Sequence, residues 1–251
     1  GCRLQYGDCL MEKELNKIVE NRYTIGEVLY FNKAKTWTSF DLVNKVRYLI
    51  RKELGVKKLK IGHAGTLDPL ATGVMIVCTG KATKRIESFQ YQTKEYIATL
   101  KLGATTPSFD LETEVDATYP TEHITEELLH KTLKQFIGEI QQIPPKYSAV
   151  KINGKRAYEY ARNGEEIEIK PKTLVIDEIE LLEFHDLSAK IRVVCSKGTY
   201  IRALARDIGV ALNSGAHLTD LERTRIGDIT LDNCISINDF QEIINNEKMK
   251  L

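Results

Sequence analysis

The stretch Gly62-His63-Ala64-Gly65-Thr66-Leu67-Asp68-Pro69-Leu70-Ala71-Thr72-Gly73 constrains the fold more than any other part of the chain. One carboxylate, Asp68, sits there among three glycines, two threonines, a histidine and a proline, and an acid displayed this way is a poor means of building a core. Glycine loses more backbone entropy than any other residue, and proline lacks a backbone donor. Pro69 disfavours the helical conformation at Asp68, so the acid is held extended. Gly65 and Gly73 permit tight turns or a close backbone approach on either side. Directly afterwards Val74-Met75-Ile76-Val77-Cys78, between Gly73 and Gly80, reads as a buried strand. The chain thus presents a carboxylate on a shaped loop beside its core. Such an acid suits a nucleophile or a general base. Read alone, it suits a carboxylate capping a nearby helix or turn equally well.

The pattern around this loop is mixed. Thr38-Ser39 precedes Leu42, Val43, Val46, Leu49, Ile50 and Leu54, and Gly55 follows: an N-cap, an apolar stripe and a stop. Strands are expected at Lys94–Leu102, Glu166–Lys170, Leu174–Phe184 and Ala189–Cys195. Helices are expected at Thr125–Ile137, Tyr158–Arg162, from Thr199 to Leu212, and from Ser236 or Asn238 to Asn246. Val150-Lys151-Ile152 followed by Asn153-Gly154 is a hairpin signal. Pro144-Pro145 opens a stretch, 144–172, that reads as a compact insertion. Strands and helices intersperse without a repeating βα unit, which favours an α+β fold with a mixed sheet.

A length of 251 residues allows one large domain, or one domain with a small appendage. No apolar run approaches the roughly 18 residues needed to cross a bilayer. The first ten residues lack the apolar centre of a signal peptide; Met11 is the expected natural start, with a leader before it. Cys2, Cys9, Cys78, Cys195 and Cys234 are odd in number and form no C-x-x-C, which argues against a disulfide framework or a zinc site. Reduced thiols in a cytoplasmic protein are expected. A net charge of +1 does not announce a nucleic-acid binder, but its distribution is uneven. Residues 103–130 hold seven carboxylates and no Lys or Arg. Cations gather at Lys57/Lys58/Lys60, Lys81/Lys84/Arg85, Lys146/Lys151/Lys155/Arg156, Lys197/Arg202/Arg206 and Arg223/Arg225, which permits a basic groove.

Five segments, in order, resemble the TruB family of tRNA pseudouridine synthases. They are the Asp68 loop; Lys94-Glu95-Tyr96; the run from Ile143-Pro144-Pro145-Lys146-Tyr147-Ser148-Ala149-Val150-Lys151 through Gly154-Lys155-Arg156-Ala157-Tyr158-Glu159-Tyr160-Ala161-Arg162; Cys195-Ser196-Lys197-Gly198-Thr199-Tyr200-Ile201-Arg202; and Gly215-Ala216-His217-Leu218 leading to Leu221 and Arg223-Thr224. The resemblance implies a pseudouridine synthase fold: a mostly antiparallel sheet flanked by helices, with 144–172 as an RNA-gripping thumb. It places an N-terminal extension at 1–22, a catalytic domain at 23–231 and a helical tail at 232–251. About two dozen residues follow Gly227, too few for the PUA-like domain many members append. Departures are the absence of Pro and Gly in Lys33-Ala34-Lys35-Thr36-Trp37-Thr38-Ser39, Thr113 where glycine is usual, and Glu222 at an often basic position.

The implied reaction breaks the glycosidic bond of a uridine and rejoins the base through C5. It is redox-neutral, so no cofactor or metal is implied. By resemblance Asp68 is the nucleophile, Arg202 pairs with it, and Tyr96 stacks on the extruded uracil or accepts its proton. His63 holds the flipped nucleotide and Leu221 lines the uracil pocket. Lys84 and Lys33 contact phosphates or buttress the site, and Lys151, Lys155 and Arg156 meet RNA phosphates from the thumb. Away from the family pattern, each has a plainer reading: core packing for Tyr96 and Leu221, loop bonding for His63, solvated charge for the cations. The implied substrate is the tRNA T stem-loop at uridine 55, acted on by a cytoplasmic monomer with no obligatory protein partner and no membrane. A guide-RNA-dependent synthase and a non-catalytic tRNA-binding or folding factor are the rival readings.

Overall fold

A computed structural model describes residues 22–250. The expected extension up to residue 21, Met11, Cys2 and Cys9 lie outside the described residues. The chain is α+β and divides into two compact units, one formed by its two ends and one by residues 93–224.

In the first unit, strand β1 (Val28–Lys33) runs antiparallel to β3 (Ala71–Thr79), with Val28 opposite Cys78 and Lys33 opposite Gly73. The short β2 (Ile61–His63) also pairs antiparallel with β3. The run Val74–Cys78 is apolar throughout because both faces of β3 are covered. Met75 and Val77 join a cluster built on helix α1 (Ser39–Leu54), while Val74, Ile76 and Cys78 join one with Ala64 and Ile226. Helix α1 begins at a reciprocal capping box between Thr38 and Asp41 and stops at Gly55, which has φ 72°. Its buried stripe is the one the spacing predicts. After β3 come a 3-10 turn (Gly80–Arg85) and α2 (Ile86–Gln90).

The second unit holds a sheet of β12 (Ala216–Ile226), β4 (Lys94–Leu102), β11 (Ser188–Cys195), β10 (Lys172–His185) and β7 (Gly138–Gln142), in that spatial order. The pairs β4–β11, β11–β10 and β10–β7 are antiparallel. A two-stranded ladder, β5 (Ala104–Thr105) with β6 (Ala117–Thr118), closes the acidic loop between them. Helix α3 (Glu126–Lys134) is capped by Thr125 and ends before the expected Ile137, because Gly138, at φ 105°, opens β7. Asn153 and Gly154, at φ 52° and 80°, join β8 (Lys151–Ile152) to β9 (Lys155–Arg156) in a primed hairpin turn. Helix α4 (Ala157–Arg162) follows directly. Helix α5 (Ile201–Ala211) packs on β4.

The expected strand at Glu166–Lys170 carries no regular secondary structure; its alternation finds no partner strand. Strand β12 turns back through Gly227 to β13 (Ile229–Thr230), with Ile226 opposite Ile229. Segment 232–251 carries α6 (Ile237–Met249), capped by Ser236. Its Phe240 and Ile244 are fully buried in the α1 cluster of the first unit, Phe240 meeting Phe31 edge-on at 5.4 Å. No helix among the described residues is long and apolar enough to cross a membrane.

Candidate active site

In the first unit the Asp68 loop is braced on both sides of the acid. Ser39, the first residue of α1, accepts a bond from the Leu67 amide at 2.9 Å, and its hydroxyl lies 3.1 Å from the Leu67 carbonyl. On the other side the Pro69 carbonyl accepts from the Thr36 amide at 2.7 Å. The Asp68 carbonyl accepts from Ala71 at 2.9 Å, closing a turn over Pro69-Leu70. Asp68 itself is half-buried. Lys33, at the end of β1, is only 1% exposed. Its ammonium meets the carbonyls of Ala34 at 3.0 Å, Trp37 at 2.5 Å and Pro69 at 3.4 Å. A buried ammonium is tolerable only when its donors are matched, and these three carbonyls match all of them. Lys33 therefore pins the 34–37 turn to the Asp68 loop and is not a solvated cation.

His63 ends β2, opposite Val77, where the chain enters the same loop, and is half-buried. Lys84 stands exposed on the 3-10 turn and, with Lys60 and Lys81, lines an open groove of about 230 Å³.

In the second unit, β4 alternates: Lys94, Tyr96, Ala98, Leu100 and Leu102 are buried on one face, with Tyr96 8% exposed. Leu221 lies half-buried on β12, the neighbouring strand. Arg202 is 3% exposed on the first turn of α5. Its guanidinium donates to the Ser108 carbonyl at 3.1 Å and stands 4.0 Å from the Asp110 carboxylate. Asp110 is itself held, accepting from the Ser108 hydroxyl at 2.5 Å and the Glu112 amide at 3.0 Å. The loop between them puts Phe109 at φ 61°, a left-handed conformation unusual for an aromatic residue. The Phe109 carbonyl is tied to the Leu218 amide of β12 at 2.8 Å. A guanidinium fixed this way keeps its plane in a set direction.

Lys94 and Arg223 were not singled out by sequence reasoning as site residues, yet both are buried, at 7% and 2% exposure. Burial, with the Arg223 charge nearby, lowers the Lys94 pKa from 10.5 to about 8. Across the ladder, opposite Lys94, burial raises the Cys195 thiol to about 11. The signal for Lys94 was available, since a lysine two residues from a buried aromatic on a strand shares its face. Asp110 was visible only as one acid in an acidic run; nothing local marks it as the partner of Arg202.

On the hairpin, Lys151 and Arg156 are exposed and Lys155 is half-buried, with its ammonium 4.6 Å from the Tyr160 ring centre. The Arg156 guanidinium donates to the Ala149 carbonyl at 2.6 Å. The three cations thus share one small element.

Residues 51–201 match the family model described as TruB family pseudouridylate synthase (N terminal domain), and residues 202–250 match tRNA pseudouridylate synthase B C-terminal domain. The chain is 70% identical over 225 residues to the tRNA pseudouridine synthase B of Phocaeicola vulgatus, covering 90% of this chain and 96% of that protein. It is 56% identical over 221 residues to the tRNA pseudouridine synthase B of Flavobacterium johnsoniae, covering 88% and 96%. Among solved structures, a chain in the crystal structure of a Cbf5-Nop10-Gar1 complex matches with a TM-score of 0.66 and 32% identity. That match covers 89% of this chain and 56% of that one.

Proposed function

The chain belongs to the TruB family of pseudouridine synthases, and we propose that it isomerises uridine 55 in the T loop of tRNA. In this reading Asp68 is the nucleophile. The Asp68 carboxylate adds to the target nucleotide and is expelled again, the N1–C1′ bond breaks, a C5–C1′ bond forms, C5 loses its proton and N1 gains one, so no oxidant, reductant or cofactor enters the balance. Arg202 is, by the family pattern, the cationic partner of the nucleophile during the reaction, its guanidinium held ready on α5 by Ser108 and Asp110. Tyr96 is the stacking surface for the extruded base, a contact worth about 1–3 kcal/mol, which offsets much of the few kcal/mol that extrusion costs. Leu221 lines the pocket and His63 steadies the flipped nucleotide. The hairpin cations Lys151, Lys155 and Arg156, with Lys84, meet backbone phosphates. The enzyme acts alone, as a cytoplasmic monomer.

The observation that carries this reading is the bracing of the Asp68 loop by Ser39, Thr36 and Lys33. A nucleophile must already be in position when the base arrives, and a loop fixed at both neighbours of the acid meets that need. The test is incubation of the purified chain, alone, with unmodified tRNA transcript, followed by mapping of pseudouridine. Wild-type protein is expected to modify position 55 and Asp68→Asn to give no product. Product from Asp68→Asn overturns the mechanism, and none from the wild type overturns the function.

A further inference from the structure

Helix α1 does more than brace the site. Its outer face carries Asn44, Arg47, Tyr48, Arg51 and Lys52, which with Val56 line an open groove of about 450 Å³. Lys45 and Lys52 flank the Tyr48 ring, their ammonium groups 5.5 and 5.0 Å from its centre. Lys52 also donates to the Tyr48 hydroxyl at 2.5 Å, and Arg47 to Asn44 at 2.9 Å. Tyr48 is 48% exposed despite its size. The two carboxylates on this helix are engaged elsewhere. Asp41 closes the N-terminal capping box, and Glu53 accepts from Lys248 at 2.7 Å. Four cations, Lys45, Arg47, Arg51 and Lys52, therefore gather around one aromatic ring and one groove. Exposed Lys57 and Lys58 follow just past the helix end.

We propose that this groove is a second RNA-backbone site, binding substrate phosphates away from the reacting nucleotide. The proposal rests on the synthase reading. Polyanion is the occupant because Arg47, Arg51 and Lys52 line the groove, Asn44 and the Tyr48 hydroxyl add hydrogen-bonding groups, and no carboxylate is among the lining residues. Its distance from the chemistry follows from helix geometry. Ser39, at the start of α1, touches the Asp68 loop, and Tyr48 to Lys52 lie roughly 13–20 Å further along the axis at 1.5 Å per residue. That is beyond one nucleotide, so the groove grips backbone that the catalytic loop does not reach. Tyr48 holds Lys45 and Lys52 in place and offers its ring edge or face to a sugar.

The experiment is equilibrium binding of an unmodified tRNA transcript to the wild type and to the double variant Arg47→Gln/Arg51→Gln across a salt series, with single-turnover rates at saturating RNA. Removal of two phosphate contacts should weaken binding and lower the slope of log K against log salt by about 2, with the saturated rate unchanged. Arg47→Lys/Arg51→Lys should restore most of both, since phosphate accepts a point charge. Unaltered affinity and slope in the glutamine variant overturn the proposal, as does an equal loss in the lysine variant, which indicates a structural role or a partner other than phosphate. Failure of the synthase reading is separable, because it appears as absence of pseudouridine with the wild type whatever the salt slope.

Discussion

At the scale of single residues, the buried cations define the site as much as the acid does. Lys33 satisfies three carbonyls from two segments that meet only in the folded chain. Its replacement by Met keeps the stem and strips those bonds; a buried carbonyl left without a donor typically costs about 1–3 kcal/mol. Lys33→Met is expected to lower the urea midpoint and, through a loosened Asp68 loop, to lower kcat more than it raises KM. A variant as active as wild type would show that the loop holds without it. Lys94 makes a pH prediction. Its folded-state pKa of about 8 lies below its ordinary 10.5, so between those values the unfolded chain binds a proton that the folded chain releases. Stability attributable to Lys94 is therefore lowest below pH 8 and rises as pH climbs toward 10.5, by on the order of 3 kcal/mol at most. Urea titrations of wild type and Lys94→Met from pH 7 to 10 should show the wild type gaining on the variant with pH. A constant difference between them would count against a depressed Lys94. At Tyr96, stacking and proton transfer separate cleanly: Tyr96→Phe keeps the ring and Tyr96→Leu loses it. Near-normal turnover in the first with a large loss in the second assigns the ring, not the hydroxyl.

At the scale of elements, local chemistry explains the boundaries and close approach explains the glycines. Helix α1 starts and stops where Thr38 and Gly55 dictate, and α6 starts at Ser236 for the same reason. Two glycines with positive φ differ sharply in what surrounds them. A Cβ at Gly154, on the hairpin turn, meets nothing within 4 Å, whereas one at Gly80 falls 2.0 Å from the Thr24 carbonyl oxygen. Gly154→Ala therefore carries only the strain of its left-handed backbone, about 1 kcal/mol, confined to the hairpin. Gly80→Ala must also push backbone apart where β3 ends, and at roughly 2–4 °C of Tm per kcal/mol it is expected to lower Tm by more than about 5 °C. Thermal melts of the two variants side by side test this, and equal losses would refute it. Strand β12 escaped sequence reading because Asp220, Glu222, Arg223 and Arg225 interrupt any alternation, yet Arg223 is among the most buried residues of the chain.

At the scale of the whole molecule, the two ends of the chain build one unit together. Phe240 and Ile244 of α6 close the core that Phe31 of β1 and the stripe of α1 open, and Lys248 ties to Glu53. Helix α6 is thus structural for the unit that carries Asp68. Phe240→Ala should cost about 3–5 kcal/mol, as for a fully buried aromatic, and should show in equilibrium unfolding; a loss below 1 kcal/mol would mean α6 docks weakly. The Asp68 loop, the helix caps and the Asn153-Gly154 hairpin are legible in the order of residues alone. Each depends on residues within a few positions of one another and on backbone preferences intrinsic to glycine, proline and the capping side chains. Folding alone makes Lys33 a buried brace, sets Arg202 against Asp110, takes Lys94 and Arg223 inside and docks α6 in the core. Burial and hydrogen-bond partnership are properties of segments far apart in the chain, and a periodic pattern records which face is apolar without recording what covers it.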